Sequence, residues 1–391
     1  MPIQIEKIFL KTIVSFFIIF GIYLCFIGGY GSDEDTLPMI GVFLGILEGG
    51  NFMTSRFTGY PVAEMGIGFL AVFFGSFVTN LVTFLNLIIG LTFFYLSFEK
   101  KIDTVKFSLF LLLCLSSSVL FFDNLEPMDY SWALIFFSSG LYFTSKKYFE
   151  LAVILFGLCI GTRINFTLFV IGALIFFPIE DEKLLIRKFL IILGSIFIGG
   201  LFYIPVWYQS YFGLDWLTAA RPLEQGYAGL LFRFLYKSIH SFSVLPFIFI
   251  LLLFISGKFK FNKNRNNITL ISLIILNLLL FFYIPAELSY IQIVLICVYY
   301  LFIKSLNKKI IYLIVLLNLT TWAVNFDFVE IQRVSNDRCA PVQALNAKFN
   351  FKILNGSLEK FYNTRSLIEC WVTDKNSEFG RKIILGEPLK K

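Results

Sequence analysis

The turn Gly31-Ser32-Asp33-Glu34-Asp35-Thr36 places three consecutive carboxylates directly after an apolar run that ends at Tyr30. Charge at a hydrocarbon boundary is poorly solvated unless it meets water, a cation or a substrate. Carboxylates in that setting suit general-base work on a hydroxyl, one taking the proton while its neighbours orient the acceptor or a cation. The same residues also suit a solvated helix start, because Asp and Ser commonly precede apolar helices. A second set is cationic: Arg56, Arg163 and Arg221 can chelate phosphate oxygens through the guanidinium fork. His240 is the single histidine, which excludes histidine triads and multi-histidine metal sites.

The elements that must hold these groups are membrane helices. Of 391 residues, 58% are hydrophobic and only 15% charged, more apolar surface than a soluble domain of this size can bury. The net charge of +7 comes from small basic clusters between apolar runs, the pattern of cytoplasmic loops and not of a nucleic-acid partner. Residues 8–30 read as an uncleaved first span whose flank, Lys7 and Lys11, keeps the N-terminus cytoplasmic and puts Asp33 outside. Residues 37–50 are too short to cross and read as a helix in the outer interface. Parity with Lys100, Lys101 and Lys106 leaves one true crossing between 62 and 98, at residues 79–98, with 65–76 shallow on the outer side. Further crossings fall at 105–122, 130–144, 188–207, 242–256, 268–283, after the turn 284–290, and at 310–324.

The stretch 151–178 is interrupted by Gly161-Thr162-Arg163-Ile164-Asn165. Each half rises roughly 20 Å at about 1.5 Å per residue, short of a bilayer core of roughly 30 Å. With basic residues on both flanks it reads as a short hairpin that rises from the cytoplasm and returns, holding Arg163 deep in the protein. An intramembrane arginine is a functional candidate, with pairing to free tip carbonyls as the plainer role.

The expected fold is thus an all-α polytopic membrane protein with about nine full transmembrane helices, a two-helix hairpin and interfacial helices in the first outer loop. Residues 1–324 form the membrane domain, with outer loops 31–64 and 207–241, and 325–391 a small extracytoplasmic domain. Before residue 325 the outer loops hold only Arg56, Arg221, Arg233 and Lys237, a strong charge asymmetry. Cys25, Cys114, Cys159 and Cys297 lie in apolar runs as small packing residues, whereas Cys339 and Cys370 are expected to pair if their segment faces an oxidising compartment.

Asp33-Glu34 after the first span, the run to Gly49-Gly50-Asn51, and Ser55-Arg56-Phe57-Thr58-Gly59-Tyr60-Pro61 followed by Glu64 resemble the first outer loop of GT-C class integral-membrane glycosyltransferases. That group includes the protein O-mannosyltransferases and the lipid A aminoarabinose transferases. The residue-level match is confined to 33–64, while the architecture extends over most of the chain. Asp129 and the turn Glu287 to Tyr290 stand where the group often has further polar site residues, and Thr162-Arg163 matches a common hairpin pattern. The chain departs from the group at Met65-Gly66-Ile67, where Lys-Pro-Pro is frequent, and at Glu287-Leu288-Ser289-Tyr290, where Arg-Tyr is frequent.

The resemblance implies transfer of a sugar from a polyprenyl-phosphate donor to an envelope glycan, lipid or protein acceptor, with inversion, on the outer face of a bacterial inner membrane. Asp33 is the expected base, with Glu34 and Asp35 beside it. Arg56, Tyr60, Glu64, Asp129, Arg163, Arg221, Glu287 and Tyr290 are the expected substrate-binding residues. The apolar run after Thr36 would lie beside the isoprenoid. A divalent cation on the acidic turn suits hard oxygen ligands, but the resemblance does not require one. The alternative is a polytopic transporter or a flippase of lipid-linked glycans; the two halves show no internal repeat, and the acidic turn lies at an outer edge, which favours the enzyme.

Overall fold

The computed structural model describes residues 3–31, 35–55, 59–99, 101–178, 184–209, 226–258, 264–285, 287–327, 330–333, 342–346, 352–364, 372 and 375–390. About 80% of the structure is helical. Among the described residues five helices are long and apolar enough to cross a membrane, Gln4–Ile27, Pro61–Phe98, Leu185–Phe202, Arg265–Tyr283 and Leu288–Ser305, or six if one bent pair is counted as a single span.

Helix α1 (Ile3–Ile27) leads through Gly29 and Gly31, both at positive φ, toward α2 (Thr36–Leu47). Pro at its first turn starts α3 (Pro61–Phe98), where the missing N–H costs nothing. Gly75 interrupts α3 at φ 78°, ψ −178°, a conformation that glycine tolerates and other residues do not.

That break strands backbone groups which the end of the chain then satisfies. The Val72 carbonyl accepts from Lys390 N at 2.9 Å, and Ser76 N donates to the Gly386 carbonyl at 2.9 Å. The Ala71 carbonyl accepts from the Tyr30 hydroxyl at 3.0 Å. In an uninterrupted helix the first two groups would bond each other and Ala71 would bond Gly75 N. The C-terminal helix, α17 (Glu378–Leu385), is closed by Gly386 at φ 71°, and this left-handed cap turns the tail onto the break. Ile383 and Leu389 join Tyr30, Met39, Tyr60, Ile67 and Val72 in a second apolar cluster, apart from the main core around Phe84, Phe121 and Tyr300.

Helices α4 (Thr104–Ser116) and α5 (Ser118–Phe122) follow in succession across a break at Ser117, and α6 (Tyr130–Ser145) returns. The interrupted stretch forms α7 (Phe149–Thr162) and α8 (Phe166–Phe176), with Arg163 extended between them. After α9 (Leu184–Phe202) and α10 (Ile204–Gln209) comes α11 (Gly226–Phe242). The second half of the stretch read as the outer loop 207–241 is therefore a 17-residue helix. It meets α12 (Val244–Ile255) at 94°, so the two cannot both lie along one membrane normal. α13 (Arg265–Tyr283), a 3-10 turn at Leu288–Ile291, α14 (Gln292–Ser305) and α15 (Lys308–Ala323) complete the bundle.

At one end of the bundle Glu99 pairs with Lys304 and accepts from Tyr300, and Glu6 holds Lys308 at 2.8 Å. The other end carries the turns described below. Strand β1 (Val324–Asp327) continues α15 without a linker and pairs antiparallel with β4 (Lys352–Asn355), Val324 opposite Asn355. Strands β2 (Glu330–Arg333) and β3 (Val342–Asn346) form a second antiparallel pair, and α16 (Ser357–Thr364) follows β4. The C-terminal segment thus contributes short strands to an otherwise helical chain and packs back on α3 through its tail.

Candidate functional site

Arg163 is the centre of the site. The chain is extended there because α7 ends at Thr162 and α8 restarts at Phe166. Its guanidinium lies 2.9 Å from the Asp129 carboxylate, and both side chains are at most 4% exposed. A buried arginine needs such a partner, since a lone charge in that setting costs several kcal/mol. Three aromatic rings surround it, Tyr130 at 4.3 Å, Tyr290 at 4.7 Å and Tyr60 at 5.2 Å from the guanidinium carbon. Such rings attract a cation through their faces.

Each ring arrives from a different element. Tyr60 precedes α3, Tyr130 opens α6, and Tyr290 sits in the 3-10 turn before α14. The Tyr130 hydroxyl donates to Glu287, and the Ser289 hydroxyl donates to Asp123. Glu64, fully buried, accepts from the Ser55 backbone N–H at 2.9 Å and from the Ser55 hydroxyl. It thereby ties the turn before Tyr60 to α3. Tyr203 donates to the Gly59 carbonyl at 3.3 Å.

A small pocket with room for about one water molecule lies beside this cluster, bounded by Tyr130, Arg163 and Tyr290 and by Phe166, Phe169 and Phe281. Asn165, Asn277 and Gln292 also line it. Asn165 Oδ1, Asn277 Oδ1 and Gln292 Nε2 are buried without a hydrogen-bond partner. Orphaned amide heads in a cavity are the chemistry that hydroxyl groups or water satisfy.

Of the expected substrate-binding residues, Tyr60, Asp129 and Tyr290 meet at Arg163, Glu287 joins through Tyr130, and Glu64 anchors the turn beside them. Asp33, Glu34, Arg56 and Arg221 lie outside the described residues, as do Cys339 and Cys370. The flanks of the acidic turn are described. A side chain at Gly31 would meet the Glu126 carboxyl at 2.7 Å, so the turn leaves α1 against the 123–129 segment that carries Asp129. Asp35 occupies the N-cap position of α2, yet its side chain makes no capping hydrogen bond, which weakens the helix-start role for that residue. Among the described residues no three His, Cys, Asp or Glu side chains form a group that could hold a metal ion.

Tyr130, Tyr203, Asn165, Asn277 and Gln292 were not singled out by sequence. Tyr130 follows Asp129 and Asn165 lies in the hairpin break, so both had a positional signal; Tyr203 and the other two amides had none. Comparison with protein-family models, with curated proteins and with solved structures finds no match to this chain.

Proposed function

We propose that this chain is a membrane glycosyltransferase that moves a sugar from a polyprenyl-phosphate donor to an envelope glycan, lipid or protein acceptor on the outer face. The observation that carries the reading is the gathering of Tyr60, Asp129 and Tyr290 on Arg163 beside a small pocket headed by unsatisfied amides. Polyhydroxylated ligands are recognised by such amide heads together with tyrosines. The reading has about nine crossings: α1, the part of α3 after Gly75, α4 with α5, α6, α9, α12, α13, α14 and α15, with α7 and α8 as the hairpin. α6 and α15 have 16 residues each, roughly 24 Å of helix, which local thinning of the bilayer accommodates; α12 has 12 residues and counts as a crossing only together with α11, from which it is bent by 94°.

In this mechanism Asp33 takes the proton of the acceptor hydroxyl as its oxygen attacks the anomeric carbon. The bond from that carbon to the phosphate oxygen breaks, and its electron pair leaves with the polyprenyl phosphate. Attack opposite the leaving group inverts the centre. Arg163, neutralised by Asp129, positions tyrosines from three elements around the pocket and is not itself the phosphate clamp. Analysis of envelope glycans in cells carrying Asp33→Asn tests the reading: a sugar should vanish from one polymer while the protein still inserts normally, and unchanged glycans at normal expression would refute it.

A flippase or transporter is favoured by one observation, the buried Arg163–Asp129 pair at a break between two short helices, since transport sites are built from broken helices and buried charge. In that case the purified protein would carry a lipid-linked sugar between leaflets of a vesicle with its sugar–phosphate bond intact.

A further inference from the structure

Gly75 divides α3 into two helical pieces. Residues 76–98 contribute Phe84, Leu87 and Phe94, all fully buried, to the main core. Residues 61–74 form an arm that starts directly after Tyr60, whose ring lies 5.2 Å from the Arg163 guanidinium carbon. The arm is held at both ends. At the Tyr60 end, Tyr203 donates to the Gly59 carbonyl at 3.3 Å. At the Gly75 end, segment 386–390 supplies the partners: Lys390 N–H donates to the Val72 carbonyl, and the Ser76 N–H and hydroxyl both donate to the Gly386 carbonyl. The Tyr30 hydroxyl lies 3.0 Å from the Ala71 carbonyl and 3.1 Å from the Glu387 carbonyl, so its one proton is shared between arm and segment. Leu389 is buried in the same apolar cluster as Tyr60 and Val72.

Two arrangements of this joint are close in energy. A helix continuous through residue 75 would return the Ala71 and Val72 carbonyls to the amides of residues 75 and 76. The docked segment instead gives those carbonyls and the Ser76 N–H partners from outside the helix, adds the Ser76 hydroxyl bond and buries Leu389. The balance turns on roughly two hydrogen bonds and one leucine side chain. At such a margin one packing can give way to the other as a discrete switch.

We infer that segment 386–390 is a strap that keeps α3 broken and so positions Tyr60 on Arg163. When the strap is released, the helix closes through residue 75 and the arm changes direction. Tyr60 stands about 22 Å from the joint at about 1.5 Å of rise per residue. A redirection of about 20°, the size of a sharp kink, moves it by about 8 Å, more than its whole 5.2 Å separation from the cation. The coupling runs both ways: anything that holds Tyr60 on Arg163 tightens the strap, and anything that withdraws the strap takes one tyrosine out of the cluster. This device belongs to the fold and is independent of the transferase reading.

The test uses the full chain in phosphatidylcholine nanodiscs, with the native cysteines replaced and spin labels on Met65→Cys in the arm and Ile89→Cys in the other piece of α3. A control pair joins Ile89→Cys to Ile154→Cys on α7; Ile89 and Ile154 are 40% and 48% exposed. The strap is released by Gly75→Ala or, with the glycine kept, by Leu389→Ser, which serves if the first variant fails to fold. The distance from 65 to 89 should shift by about 5 Å, the swing of an arm of about 15 Å through about 20°, while the control distance stays fixed. In the reverse direction, Tyr203→Phe frees the Gly59 carbonyl and should speed maleimide labelling of Leu389→Cys by about two- to tenfold, the worth of one hydrogen bond. An unchanged distance from 65 to 89 in either folded variant, or an equal shift in the control pair, would overturn the strap. Labelling of Leu389→Cys at the parental rate in Tyr203→Phe would overturn its coupling to the Arg163 cluster.

Discussion

Gly75→Ala should release the C-terminal tail from α3. Gly75 sits at φ 78°, ψ −178°, where a non-glycine residue costs on the order of 1–3 kcal/mol. A side chain there would also lie 2.8 Å from the Gly386 carbonyl oxygen and 3.1 Å from Pro388. Alanine can escape both by adopting helical angles, and the amides of residues 75 and 76 then recapture the carbonyls of Ala71 and Val72. Lys390 N and the Gly386 carbonyl lose their partners, at about 0.5–1.5 kcal/mol for each bond. Together the tail's docking equilibrium should weaken by about 1–3 kcal/mol, or roughly 5- to 150-fold. The assay is maleimide labelling of Leu389→Cys, a position 8% exposed, in a background with the native cysteines replaced. Labelling should accelerate by that factor while the helical content is unchanged. A labelling rate within about twofold of the parent would mean that the tail is held by something other than the broken backbone.

Asp129→Asn leaves the Arg163 charge buried without its counter-ion and should cost about 3–5 kcal/mol in thermal unfolding in detergent, whereas Asp129→Leu combined with Arg163→Met should recover most of it. Glu64→Gln keeps an oxygen acceptor for the Ser55 N–H and hydroxyl and should be close to neutral, while Glu64→Ala should cost about 1–3 kcal/mol by orphaning both; equal unfolding temperatures for the two variants would contradict this. Lys237 is pushed down to about 7 from an ordinary 10.5 by burial and then by Arg233. The unfolded chain therefore binds more protons between those values, so stability should rise from about pH 7 to pH 10 and be flat below, and Lys237→Gln should remove that slope.

The helices were legible because apolar runs between basic clusters have few alternatives, and the hairpin break was legible because two halves too short to cross flank an arginine. Gly75 and the tail were not, since the Ser76 N–H and hydroxyl both reach the Gly386 carbonyl 310 positions away, and a backbone carbonyl that distant leaves no signature in the sequence. α11 was read as loop for a related reason: with cations turned inward its apolar stripe is interrupted, and a pattern of that kind resembles an interfacial loop rich in aromatics. Tyr60, Asp129 and Tyr290 were named as separate polar residues. That they share one arginine follows only from the packing of α3, α6, α7 and the turn before α14. Asn277 and Gln292 flank that turn at positions that look like ordinary polar interruptions of apolar helices.

The most direct measurement is transfer itself, with membranes containing wild-type or Asp33→Asn protein at matched levels, supplied with polyprenyl-phosphate sugars carrying an isotopic label. Loss of a positioned general base should slow incorporation of label into polymer by about 10²- to 10⁴-fold, with the labelled donor still bound. Incorporation at the wild-type rate would contradict the account at its centre.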